Sequence, residues 1–162
     1  MFSPALIALA EAVLNEARTK GVRIATAESC TGGLITGLLT EISGSSDVVE
    51  RGFITYSNKA KRDLLGVPGA IITREGAVSK SVACAMAEGA LARADAELAV
   101  AVTGVAGPTG GTAEKPVGLV HIAAVRTGRT TVHEEHRFGD IGRGDVRLKT
   151  VEAALKLLLR LI

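Results

Sequence analysis

The sequence predicts an α/β protein: a three-layer α/β/α sandwich around a five-stranded mixed sheet whose fourth strand is antiparallel. Three observations lead there. Apolar runs of strand length alternate with segments of helical period. Helical crossovers separate the first three strands, which makes those strands parallel. The third strand reaches the fourth with no helix between them, and Thr127-Gly128 turns the fourth tightly into the fifth, so the fourth runs against the rest. With 162 residues, 47% of them apolar, one domain over 1–162 can build a core without metal or disulfide staples.

The first helix spans 4–19 and places Leu6, Ala10, Val13, Leu14 and Ala17 on one face; Pro4 suits its first turn and Gly21 its exit. Strand one is 22–27. It feeds the polar corner Thr26 to Gly33, and a helix over 32–43 leaves it. Ser29 or Thr31 is the expected cap of that helix. A corner at Gly44-Ser45-Ser46-Asp47 and a short helical turn through Glu50 precede strand two, 52–56. Ser57 caps a helix over 58–65, closed by Gly66; an irregular stretch holds Pro68, Gly69 and Gly76; Ser79 opens a helix running to 93. Strand three is 97–102, a Gly/Thr/Pro-rich loop fills 103–116, strands four and five are 117–125 and 130–138, and a last helix runs from 145 to 161. The 103–116 loop is long for a compact domain, and such loops are often functional.

Composition excludes several classes. Aromatic residues are 2% of the chain and the formal charge is +2 with acids and bases interspersed, so neither stacking platforms nor a basic patch for nucleic acid is expected. Cys30 and Cys84 are too few for a disulfide framework. The N-terminus lacks the pattern of a signal peptide and no run reaches membrane-spanning length, so a cytoplasmic protein without membrane association is expected. His121 falls in strand four, and His133 and His136 sit three apart in strand five, on opposite faces; no bound metal is expected. Aliphatic helices of modest charge suggest a homo-oligomer.

Ligands of open α/β sheets bind beyond the carboxyl ends of the parallel strands. Four polar, glycine-bearing segments fall there: Thr26–Thr31, Tyr56, Thr103-Gly104 and Phe138–Arg143. Lys61, near the start of its helix, faces the positive end of the helix dipole, which would lower its pKa and suit it to act as a base. The plain alternative is a solvated surface lysine. Tyr56 is the only tyrosine. Ser45 and Ser46 follow Gly44 in a tight bend, either as turn residues or as an exposed nucleophile. The Thr103–Thr112 loop offers backbone N–H groups to a phosphate or oxyanion but matches neither a Walker A loop nor GxGxxG. Arg143 could add a guanidinium for phosphate.

The motifs Ala27-Glu28-Ser29-Cys30-Thr31-Gly32-Gly33, Gly44-Ser45-Ser46, Arg51 through Asn58 with Lys61, Gly76-Ala77-Val78-Ser79, Gly104-Val105-Ala106-Gly107-Pro108 and Lys115-Pro116-Val117-Gly118 together resemble the CinA C-terminal domain family, the nicotinamide-nucleotide amidohydrolases. The resemblance covers nearly the whole chain. It implies hydrolysis of nicotinamide mononucleotide to nicotinate mononucleotide and ammonia, with no cofactor. It also implies the same sandwich, here expected in stand-alone form. By the family pattern Ser46 resembles the nucleophile, with Ser45 and Ser29 as alternatives, and Lys61 and Tyr56 resemble its activating partners. Ser29, Thr31, Thr103, Gly104 and Arg143 resemble substrate contacts, with Arg147 as the alternative to Arg143. A nucleotide-binding module without catalysis is the competing reading.

Overall fold

The computed structural model describes residues 2–162. Its elements are α1 (Pro4–Lys20), β1 (Ile24–Glu28), α2 (Leu34–Glu41), a 3-10 turn at Ser45–Asp47, β2 (Val49–Ile54), α3 (Asn58–Leu65), α4 (Gly69–Glu75), α5 (Lys80–Arg93), β3 (Leu98–Gly104), β4 (Leu119–Arg126), β5 (Val132–Arg137) and α6 (Arg143–Leu161). The five strands form one sheet in the order β2-β1-β3-β4-β5. β1 is parallel to β2 and to β3, while β4 is antiparallel to both β3 and β5. The mixed sheet predicted from connectivity is therefore the one observed, and β1, β2, β3 and β5 share a carboxyl rim.

The two faces of the sheet differ in side-chain size. Ile24, Leu98, Val100, Val102, Val120 and Ile122 pack under α1, α2 and α6. On the opposite face Ala25, Ala27, Ala99, Ala101 and Ala123 meet the alanine-rich stripe of α5. Small residues on both sides let α5 lie close to the strands. Gly89 extends this close packing to α3: a β-carbon there would run into the Leu65 carbonyl. The core is aliphatic, as the low aromatic content requires.

Three local expectations are corrected. Val49-Glu50 is the start of β2 rather than the end of a helical turn, because Val49 pairs with Ile24 in the parallel ladder. β2 consequently ends at Ile54, and Tyr56 lies in the loop beyond it. The stretch read as irregular contains α4, which begins after Pro68 and ends at Gly76. Its seven residues are too few to display a helical period clearly. The last helix begins at Arg143, so that arginine sits in its first turn rather than before it.

The cap of α2 is the most informative correction. Neither Ser29 nor Thr31 caps it; the N-cap position is Gly33, which has no side chain to offer. The fully buried Glu28 carboxylate fills the role. One oxygen accepts from Thr31 Oγ1 at 2.6 Å, Gly33 N at 3.0 Å and Ile35 N at 3.1 Å. The other accepts from Thr36 N at 2.8 Å and Thr36 Oγ1 at 3.0 Å. A negative group at a helix N-terminus is favoured both by these unpaired donors and by the dipole. Gly32 and Gly33, with φ of 59° and 100°, adopt the left-handed conformations that bring the chain back over the carboxylate.

Glu28→Gln is expected to lower stability by about 2–4 kcal/mol, because an amide nitrogen would be pressed against backbone N–H groups. Urea unfolding monitored by circular dichroism measures it; an unchanged midpoint would remove the carboxylate from this role.

Candidate active site

Lys61 organises the carboxyl rim of the sheet. It lies on α3, four residues past the Ser57 N-cap, whose side chain accepts from Ala60 N. Helical side chains lean toward the N-terminus, so the lysine reaches back to the loop that precedes its own helix. It is not a solvated lysine: only 1% of it is exposed. Its Nζ lies 2.9 Å from Ser29 Oγ, 2.9 Å from the Thr55 carbonyl and 3.4 Å from the Tyr56 carbonyl. All three partners are uncharged.

Burial lowers the pKa of Lys61, with a smaller opposing influence from nearby Cys30. The direction agrees with the sequence expectation, but the cause is desolvation rather than the helix dipole. A neutral amine has two N–H groups and one lone pair. With two carbonyls placed to accept the N–H groups, the lone pair is left for the hydroxyl of Ser29. The contact is thus suited to take the proton of an attacking serine.

Ser29 is 8% exposed and sits just past β1, where its own N–H donates to the Val102 carbonyl of β3 at 3.1 Å. It shares a cavity of about 200 Å³ with Cys30, Tyr56, Asn58, Lys61, Thr103, Gly104 and Arg143, while Ala77, Val78 and Ala106 complete the wall. Cys30 is no competing nucleophile, because burial pushes its thiol up to about 12. Thr103 Oγ1 donates to the Ala77 carbonyl at 2.9 Å and so ties β3 to the segment before α5. At Gly104 a β-carbon would approach the Leu119 carbonyl to 2.8 Å, which explains the glycine.

Tyr56 and Arg143 stand at the mouth. Tyr56 is 64% exposed. Arg143 donates to its hydroxyl at 3.2 Å and to the Gly107 carbonyl at 2.9 Å. Both acceptors are neutral, which leaves the guanidinium charge available to an anion. Arg147, one turn further along α6, is committed elsewhere: it donates to the carbonyls of Cys30 at 3.1 Å and Thr31 at 2.9 Å. It braces the serine loop from behind.

Ser29, Tyr56, Lys61, Thr103, Gly104 and Arg143 therefore meet in one cavity. Ser46 does not join them. It is exposed in the turn before β2, at the amino end of that strand. Six strand residues, roughly 20 Å at ~3.3 Å each, separate it from the rim. Ser45 lies at the same far end, beside Asp47 and Gly44, which are held by Arg18 of α1. Thr31 is fully buried, with its hydroxyl bound to Glu28 rather than turned into the cavity. Asn58, at the end of the β2 motif, also lines the cavity, although nothing in its local pattern marks it. The histidines stay apart from the site: His121 Nδ1 and His133 Nε2 approach to 2.9 Å, while His136 pairs with Glu134. Among the described residues no three His, Cys, Asp or Glu converge as metal ligands, and no helix is long and apolar enough to cross a membrane.

Fold and site together define a class: an α/β/α sandwich carrying a serine–lysine contact and an anion-ready arginine at the carboxyl rim of its sheet. The chain belongs to the CinA C-terminal domain family, whose model matches residues 6–162. It is 51% identical over 154 residues to a CinA-like protein of Syntrophobacter fumaroxidans, covering 95% of this chain but only 36% of that relative's length. Its fold matches the crystal structure of the competence/damage inducible protein CihA from Agrobacterium tumefaciens with a TM-score of 0.98 and 54% identity, over 99% of this chain and 98% of that one. A CinA superfamily protein from Escherichia coli matches with a TM-score of 0.92 at 32% identity, over 100% of this chain and 94% of that one.

Because the Lys61 pKa is lowered in the folded protein from 10.5, the unfolded chain binds more protons between the two values. The cost of burying the charged form is complete below the folded pKa and disappears as pH rises toward 10.5. The stability of the native protein, relative to Lys61→Met, is therefore expected to rise with pH across that window. Thermal melts of the two proteins from neutral to alkaline pH measure the difference, and parallel curves would contradict it.

Proposed function

We propose that this chain is an amidohydrolase that converts nicotinamide mononucleotide and water to nicotinate mononucleotide and ammonia, with Ser29 as nucleophile and Lys61 as its base. The observation that carries the reading is the 2.9 Å contact between Ser29 Oγ and a buried lysine with no acidic partner in contact. The resemblance to nicotinamide-nucleotide amidohydrolases supplies the substrate.

Neutral Lys61 takes the Ser29 proton as Oγ attacks the carboxamide carbon. The resulting ammonium returns that proton to the departing nitrogen, ammonia leaves, and an ester remains on Ser29. Water then attacks the ester, giving one proton to Lys61, which passes it back to Ser29 as the acid leaves. The substrate favours this chemistry in two ways. Its cationic pyridinium ring withdraws electrons from the carboxamide, and a nearby cation disfavours the charged form of Lys61. At the mouth, Arg143 would exchange its carbonyl and phenol partners for the phosphate, with Tyr56 beside it. Serine and lysine thus keep the kinds of role that the resemblance implies, with Ser29 taking the place of Ser46, while Tyr56 moves from activating partner to neighbour of the phosphate-binding arginine.

Ser29→Ala and Lys61→Met are each expected to lower ammonia release by at least about 10³-fold, whereas Ser46→Ala retains the parent rate. A coupled ammonia assay with nicotinamide mononucleotide decides; full activity in Ser29→Ala would sink the assignment. The same assay across pH is expected to show kcat/KM rising and levelling off as Lys61 loses its proton, since only the neutral amine can act as base. Arg143→Ala is expected to raise KM about 10-fold or more with a smaller change in kcat, a difference that should vanish with the substrate lacking phosphate, nicotinamide riboside.

A further inference from the structure

Two motifs of the sequence take no part in the contact between Ser29 and Lys61: Gly76-Ala77-Val78-Ser79 and Lys115-Pro116-Val117-Gly118. The structure joins them. Residues 76–79 connect α4 to α5, and Ala77 and Val78 of this connector form part of the cavity wall. Lys115 lies in the loop between β3 and β4, and its Nζ donates to the carbonyl of Glu75, the last residue of α4. A cation is favoured there, because the last carbonyls of a helix have no partner within it. The ammonium also lies against Gly76, where a β-carbon would stand 2.8 Å from Nζ.

Three consecutive carbonyls are thus held by side chains from three places in the fold. Lys115 of the long loop holds that of Glu75. Ser79 Oγ, at the N-cap of α5, donates to that of Gly76 at 3.0 Å. Thr103 Oγ1, from β3, donates to that of Ala77 at 2.9 Å. Lys115 is itself fixed by Thr112: its N–H donates to Thr112 Oγ1 at 3.0 Å, and its carbonyl accepts from Thr112 N at 2.9 Å.

The bond to Ala77 decides what Thr103 presents to a ligand. A threonine hydroxyl has one proton and two lone pairs. The proton of Thr103 is committed to the Ala77 carbonyl, so the cavity meets only lone pairs. A carboxamide nitrogen carries N–H groups that donate to them. A carboxylate has no proton to offer and sets lone pair against lone pair. A site built around one hydrogen bond rejects a group that cannot make it.

We infer that Lys115 is a positioning residue for amide selection: by holding the α4–α5 connector it keeps Thr103 an acceptor, and Thr103 favours the carboxamide of the substrate over the carboxylate of the product. The inference rests on the amidohydrolase reading and adds to it how the site lets go of the acid it makes. Without Lys115 the Glu75 carbonyl loses its partner, the connector shifts, and the Thr103 hydroxyl is free to turn its proton toward a carboxylate.

Isothermal titration with nicotinamide mononucleotide and with nicotinate mononucleotide tests it, read as the ratio of dissociation constants, acid over amide. Ser29→Ala is the background, so that the amide is bound and not consumed. Adding Lys115→Met or Thr103→Val is expected to lower the ratio at least about fivefold, while adding Lys115→Arg or Thr103→Ser keeps it within about twofold. Loss of a cation by itself would weaken the acid more and raise the ratio, so a fall reports the hydroxyl rather than the charge. Lys61 is unchanged in every variant, and its pull on the acid is common to all. A ratio unchanged or raised in Lys115→Met would overturn the positioning role. An unchanged ratio in Thr103→Val, which keeps the shape of the side chain, would overturn the selection even if Lys115→Met does not fold. A parent protein that releases no ammonia from nicotinamide mononucleotide would overturn the amidohydrolase reading, whereas ammonia release with unchanged ratios overturns this inference alone.

Discussion

The buried carboxylate of Glu28 fixes the geometry on which the site depends. It closes the first turn of α2 from below, where Gly33 leaves the helix without a side-chain cap. Three backbone N–H groups and three threonine hydroxyls converge on its two oxygens. The loop between Glu28 and Leu34 is therefore wrapped around a charge, and its conformation follows from satisfying that charge. Thr31 turns inward to the carboxylate, and Ser29, at the start of the same loop, turns outward to Lys61. The acid does no chemistry at the cavity, yet it decides which hydroxyl of the corner is free.

Lys61 presents the opposite arrangement. A buried carboxylate surrounded by donors has its charge satisfied, while a buried amine beside two carbonyls and a hydroxyl does not. A neighbouring acid would have stabilised the ammonium and raised its pKa. Without one, burial favours the neutral base. That burial costs stability, a pattern that recurs where side chains are tuned for proton transfer.

The fold was legible because its signals are periodic and collective. Alternation of strands and helices, helical crossovers and one tight turn were enough to place β4 antiparallel. Boundaries set by pairing were not legible: Val49 reads equally well as helix or strand until Ile24 lies beside it. The same limit applies at the site. Lys61, Tyr56, Thr103, Gly104 and Arg143 share the cavity because each lies near a strand's carboxyl end. Ser46 stands apart from them: its bend looks like a nucleophile turn, but it precedes its strand and so lies at the other rim. Following the parallel direction of β2 back to its start places it at that far rim. The pairing of Ser29 with Lys61 spans 32 residues of sequence, and no local pattern encodes that contact.

α6 ties the core to the cavity at the carboxyl rim. Its inner face, from Val146 to Leu161, closes the core. At its first turns Arg143 reaches the mouth of the cavity, and Arg147 grips the carbonyls of the serine loop. Such a helix cannot shift along its axis without moving the Arg147 clamp against Cys30 and Thr31. The contact between Ser29 and Lys61 requires the loop behind Ser29 to stay in place, and the Arg147 clamp holds it there.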